Sequence, residues 1–122
     1  MKTVLIVDDE KYLRLLYEQE LRDEGYRVII AENGEQALEK IHHEQIDLAI
    51  LDIKMEGMSG IETLKEIMDV NKDIKVILNS AYSSFKADFS TWSADAYLIK
   101  SSNLKELKEK VAELLELDNQ NQ

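Results

Sequence analysis

The chain has 122 residues, enough for one compact domain with little left for a second. It carries 25 Asp and Glu against 15 Lys and Arg, a formal net charge of −10, and it has neither cysteine nor proline. These counts exclude a disulfide framework, a thiolate metal site, a cysteine nucleophile and a Pro-rich linker. The acidity argues against sequence-independent nucleic-acid binding, which needs Lys and Arg to neutralise phosphates.

No run approaches the ~18 apolar residues of a membrane span. The N-terminal apolar stretch is too short for a signal peptide and ends in three acids, Asp8, Asp9 and Glu10. A cytoplasmic protein without membrane contact is expected. Its domain should cover residues 1–117, with 118–122 as a disordered tail.

Five short apolar runs follow in order: 4–7, 28–30, 48–51, 76–78 and 97–99. Several are apolar at consecutive positions, which suits strands buried on both faces of a parallel sheet. Between them lie segments of helical period. Leu13, Leu16, Tyr17 and Leu21 form one stripe, closed by Gly25. Asn33 can cap a helix carrying Ala37, Leu38 and Ile41. Ser59 and Glu62 fit a capping box ahead of Leu64, Ile67 and Met68. Asn103 and Glu106 fit another, opening a final helix with Leu104, Leu107, Val111, Leu114 and Leu115 inward. The segment 83–93, rich in Ser and aromatics, predicts a short or irregular helix. The alternation βαβαβαβαβα implies an α/β fold with helices on both sheet faces.

Ligands of open α/β sheets sit beyond the C-terminal strand ends. Those ends carry Asp8, Asp9 and Glu10, then Asp52, then Asn79 and Ser80, then Lys100. Each has an ordinary reading as a cap, a turn residue or a surface charge. Together they bring carboxylates, a hydroxyl and an ammonium to one rim. Clustered carboxylates resist ionising together, and a divalent cation with Lys100 would relieve them. Magnesium suits an all-oxygen donor set. A carboxylate beside such an ion can attack phosphorus, with the cation, the lysine and the hydroxyl stabilising the transferred group.

The ordered set Asp8-Asp9, Asp52 in LDIKMEGMSG, Ser80-Ala81 and Lys100 in YLIKS resembles the receiver domain of two-component response regulators, over residues 1 to about 117. The resemblance implies a flavodoxin-like (βα)5 fold with five parallel strands in the order 2-1-3-4-5. It implies that Asp52 is the phosphoacceptor, taking a phosphoryl group from a histidine kinase or phosphotransfer protein. Asp8, Asp9, Asp52 and the backbone oxygen of Lys54 would hold Mg2+. Lys100 would pair with Asp52 or its phosphoryl group, and Ser80 and Tyr97 would be the switch residues. Lys54 and Tyr82 would tune the acyl-phosphate lifetime, as in the similar sporulation phosphorelay receiver, by blocking the hydrolytic water. On this reading the protein is a signalling phosphoacceptor and not an enzyme. It would act on an unknown downstream protein through a face that phosphorylation switches, with room for a weak homodimer. A pseudo-receiver, or a fragment of a larger regulator whose output domain is absent, is the alternative.

Two departures from the family are missing prolines, with Glu56 and Ser101 in their places. The family's Lys-Pro bond is cis, and the expectation is that Lys100-Ser101 is held cis so that the lysine points into the acidic pocket. Ser93 stands where a glycine is usual, and the 80–100 stretch is shorter than in typical members, so the partner face should be unusual. Lys54 also occupies the position where a haloacid-dehalogenase-like phosphatase needs a second Asp. The acidic loop after the first strand is likewise unsuited to an FMN phosphate. His42 and His43, adjacent on a helix, do not share a face and read as dipole partners at its C-terminus. Trp92 reads as partly packed in the core.

Overall fold

The computed structural model describes residues 1–84, 93–101 and 103–120, with side chains described as far as Glu116. The irregular helix expected over 83–93 falls mostly on 85–92 and, with Trp92, lies outside the described residues.

Five strands form the sheet: β1 (Thr3–Val7), β2 (Arg27–Ala31), β3 (Leu48–Leu51), β4 (Lys75–Ser80) and β5 (Ala96–Ile99). Four helices are described: α1 (Lys11–Asp23), α2 (Gly34–His43), α3 (Gly60–Val70) and α4 (Lys105–Gln120). All pairings are parallel, and the strand order is β2-β1-β3-β4-β5, as the receiver resemblance implies. The order reverses after β1, so β1 and β3 lie side by side and their C-terminal ends meet.

Alternate strand residues supply two apolar layers. Val4, Ile6, Ile50, Ile77 and Leu98 pack with Tyr17 and Leu21 of α1 and Leu107, Val111 and Leu115 of α4. Leu5, Val7, Leu51, Val76 and Leu78 pack on the opposite face with Ala37 and Ile41 of α2 and Leu64 and Ile67 of α3. Every residue of β1 and β3 is buried, because helices cover both faces of the central strands. Among the described residues no helix is long and apolar enough to cross a membrane.

Local signals terminate the elements where the sequence expects them. Gly25 adopts φ +97° and closes α1 by donating to the Arg22 carbonyl. The Asn33 side chain accepts from Gln36 N at 2.8 Å. Ser59 and Glu62 make the reciprocal capping box of α3. Ahead of α4 the Asn103 side chain accepts from Lys105 N at 2.9 Å, but Asn103 N donates to Ser101 Oγ at 3.1 Å and Leu104 supplies the first helical carbonyl, so the Asn103–Glu106 capping box expected from the sequence does not form. That helix continues to Gln120, past the point at which the sequence places the start of a tail. Once its apolar stripe is anchored, each added helical residue costs little.

Candidate functional site

Short backbone bonds join the strand ends that carry the polar rim. Asp52 N donates to the Val7 carbonyl at 3.0 Å, and Asp8 N donates to Ala31 at 3.2 Å. Lys100 N donates to the Ser80 carbonyl at 2.7 Å. The rim residues are therefore fixed by the sheet itself, not by mobile loops. Beneath Asp52, the first turn of α3 comes so close that a Cβ on Gly60 would stand 2.0 Å from the Asp52 carbonyl oxygen. Only glycine fits at that approach.

Lys100 lies between the two buried carboxylates. Its ammonium is 2.8 Å from Asp8 Oδ2 and 3.3 Å from Asp52 Oδ2, with Glu10 Oε1 at 4.0 Å. The other Asp8 oxygen accepts Glu10 N at 2.9 Å. Asp8 thus makes the turn that admits α1 and faces the lysine at the same time. One ligand oxygen each from Asp8, Asp9 and Glu10 lies within 4.8 Å of the others. Hard oxygen donors in such a cluster fit Mg2+, whereas the site has none of the nitrogen or sulfur donors that softer metals prefer.

The electrostatics match this crowding. Burial pushes the Asp52 carboxyl up to about 6; the Lys100 charge opposes the shift and the Asp8 charge adds to it. For Lys100, burial favours the neutral form, but its hydrogen bond to Asp8 and the charge of Asp52 outweigh it and hold the pKa above the ordinary lysine value. Asp52 is therefore a desolvated carboxylate with one fixed cation beside it.

Lys100 reaches this position without a cis bond. No cis peptide bond occurs among the described residues, so Lys100-Ser101 is trans, against the expectation from sequence. The four-carbon arm of lysine spans the gap from a regular strand end. Nothing is left to offset the ~2.5–4 kcal/mol that a non-proline cis bond costs.

Ser80 is fully buried, and its Oγ accepts Tyr82 N at 3.0 Å. Tyr97 is buried, and its hydroxyl donates to the Tyr82 carbonyl. The two expected switch residues thus converge on one backbone segment. The Lys54 ammonium lies 4.4 Å from the centre of the Tyr82 ring, a cation–π contact. The two positions read from sequence as lifetime-tuning touch each other. His42 and His43 end α2, as expected.

The sequence reading missed Arg14. It is buried, and its Nη1 donates to the Asp8 carbonyl at 2.8 Å. A signal was present, because Arg14 falls on the same helical face as Tyr17 and Leu21. It also missed the buried pair in which Asn79 Nδ2 donates to the Tyr17 hydroxyl at 3.1 Å, behind the rim.

A doubly wound parallel sheet with an Asp pair, an Asp, a hydroxyl and a lysine at its switch point defines a receiver of the response-regulator class. Residues 4–112 match the family described as the response regulator receiver domain, and the chain belongs to it. Among its relatives is the transcriptional regulatory protein ZraR of Klebsiella oxytoca, 41% identical over 114 residues, which are 92% of this chain and 26% of that protein. Sporulation initiation phosphotransferase F of Bacillus subtilis is 43% identical over 79 residues, 65% of this chain and 64% of that one. The chain thus spans about a quarter of the first relative's length and just under two thirds of the second's. The response regulator TrrA of Thermotoga maritima, solved with Mg2+-BeF, superposes with a TM-score of 0.88 at 52% identity, covering 93% of this chain and 99% of TrrA. TrrA has also been solved in complex with the histidine kinase ThkA; that structure aligns at a TM-score of 0.86 and 52% identity, over 94% of this chain and 99% of that one.

Proposed function

We propose that Asp52 accepts a phosphoryl group from the phosphohistidine of a histidine kinase or phosphotransfer protein, and that the acyl phosphate switches a protein-binding face of this receiver. The observation that carries the reading is the Lys100 ammonium between buried Asp8 and Asp52, next to the carboxylates of Asp9 and Glu10. A pseudo-receiver has no need to keep two buried carboxylates and a buried ammonium, each of them costly to desolvate. The Mg2+-BeF complex of TrrA and its complex with ThkA support the same chemistry and the same kind of partner here.

An Asp52 carboxylate oxygen attacks phosphorus; the P–N bond to the donor imidazole breaks with its electron pair going to nitrogen, and the ring, already protonated on its other nitrogen, leaves as neutral imidazole. Asp8 and Asp9, with the Lys54 backbone carbonyl, would hold Mg2+, which neutralises phosphoryl charge when bound. Lys100 already stands 3.3 Å from an Asp52 oxygen and can follow the phosphoryl group. The Ser80 hydroxyl leaves Tyr82 N to bond a phosphoryl oxygen, and Tyr97, tied to the same segment, registers the movement. On this reading Lys54 and Tyr82, in cation–π contact with each other, would keep the hydrolytic water from the acyl phosphate and prolong it.

The receiver unit of residues 1–117 acts in the cytoplasm, either passing phosphate onward or reporting to a downstream protein. The quarter-length match to ZraR favours a second setting, in which the same receiver belongs to a larger regulator. Incubation with Mg2+ and acetyl phosphate or beryllofluoride tests the assignment. Wild type is modified or binds and Asp52→Ala does not; modification that survives the substitution refutes it.

A further inference from the structure

The geometry points to Arg14 as the positioning residue that fixes the Asp8-Asp9 turn for divalent-cation binding. The inference rests on the reading of Asp8 and Asp9 as the Mg2+-holding carboxylates. Arg14 sits one turn into α1 and is 6% exposed, rare for an arginine on a surface helix. One arm of its guanidinium donates to the Asp8 carbonyl at 2.8 Å, and the other lies 3.4 Å from Glu32 Oε1, just beyond β2. Asp8 N is itself held by Ala31, the residue before Glu32. Asp8 is therefore held at its N–H by the neighbouring strand and at its carbonyl, which begins the peptide to Asp9, by α1.

The guanidinium's Nε is buried without a hydrogen-bond partner among the described residues. Burying an incompletely satisfied arginine works against stability, and such a group beside a cluster of carboxylates points to a functional constraint. A planar fork can bond Asp8 and Glu32 at once, which a lysine ammonium on a flexible stem cannot do with the same rigidity.

Two effects of Arg14 on a bound cation oppose each other. Its charge repels Mg2+, and its grip on Asp8 pre-organises the ligands. The contact with Glu32 offsets part of the charge, so orientation prevails. The sign of the effect on affinity therefore separates the two.

The test is calorimetric titration of the full chain with Mg2+, together with the rate of phosphorylation by acetyl phosphate as a function of Mg2+. Wild type, Asp9→Asn, Arg14→Met and Arg14→Lys are compared. Asp9→Asn should lose Mg2+ binding; if it binds like wild type, the metal reading fails and this inference falls with it. Given that loss, Arg14→Met should bind Mg2+ about tenfold or more weakly, the scale set by removing an outer partner of a metal ligand. Most of its phosphorylation rate should return at saturating Mg2+, and Arg14→Lys should fall between the two. Arg14→Met affinity within about twofold of wild type, or tighter, overturns the inference. So does a rate loss that excess Mg2+ does not restore, which would mark a general folding role. Should Arg14→Met not fold, Arg14→Lys decides: weakened Mg2+ binding supports the inference, and wild-type binding overturns it.

Discussion

Asp52→Asn should stabilise the metal-free protein, and increasingly so as pH rises. The carboxyl titrates near 3.8 when free and at about 6 in the fold. Its folded pKa is raised, so between those values the folded chain binds more protons than the unfolded one. Stability then falls with rising pH through that window. At ~1.4 kcal/mol per unit, the full cost of ionising Asp52 is about 3 kcal/mol. About half of it is already felt near pH 5, where the unfolded chain is ionised and the folded one is not; the rest appears by about pH 7. Asparagine has the same shape and no charge to desolvate, and Lys100 keeps its 2.8 Å contact with Asp8. The expected result, from urea melts in EDTA, is a variant-minus-wild-type stability that grows by about 1.5 kcal/mol in favour of Asn between about pH 5 and pH 8. Added Mg2+ should narrow the gap, because it favours the ionised carboxylate of the wild type. A difference that does not change with pH, or one that favours wild type at the alkaline end, would refute the account of Asp52 as a desolvated carboxylate.

Three further outcomes follow, two from single positions and one from a contacting pair. Ser93 has φ 67°, in the left-handed region, where a side chain costs ~1–2 kcal/mol; Ser93→Gly should therefore gain about 0.5–1 kcal/mol after the extra chain entropy of glycine, read as a higher melting temperature. Gly60→Ala should lose about 1–3 kcal/mol in denaturant melts and slow phosphorylation, because its Cβ would meet the Asp52 carbonyl, and wild-type behaviour would show that the loop yields freely. Lys54→Asn and Tyr82→Ala should each shorten the phospho-Asp52 lifetime several-fold, with the double variant no faster than the quicker single one, since the two side chains act through one contact; an unchanged decay in both would remove them as a lid.

The strands were legible because a parallel sheet covered on both faces needs uninterrupted aliphatic runs, and β1 and β3 have them. The rim was legible for a related reason: a polar residue directly after such a run can only stand at the sheet's C-terminal edge. Asp8, Asp52, Ser80 and Lys100 therefore needed no knowledge of loops. The misread Lys100-Ser101 bond shows the limit of this logic. The position of a long side chain does not fix the backbone that carries it, and an ammonium on four methylenes meets Asp8 and Asp52 from an ordinary trans strand end. Arg14 escaped notice for the opposite reason. An arginine between Leu13 and Leu15 reads as the polar side of an amphipathic helix, yet Leu15 is the one exposed and Arg14 faces inward with Tyr17 and Leu21. The period of α1 places Arg14 on the Tyr17–Leu21 face, but the partner that lets an arginine be buried there, the Asp8 carbonyl at the end of β1, belongs to an earlier element that this period does not encode. Composition has the same blind spot. The −10 net charge describes a mostly solvated surface and says nothing of the two buried carboxylates, Asp8 and Asp52, that face the Lys100 ammonium, or of Arg14, which bonds the Asp8 backbone carbonyl.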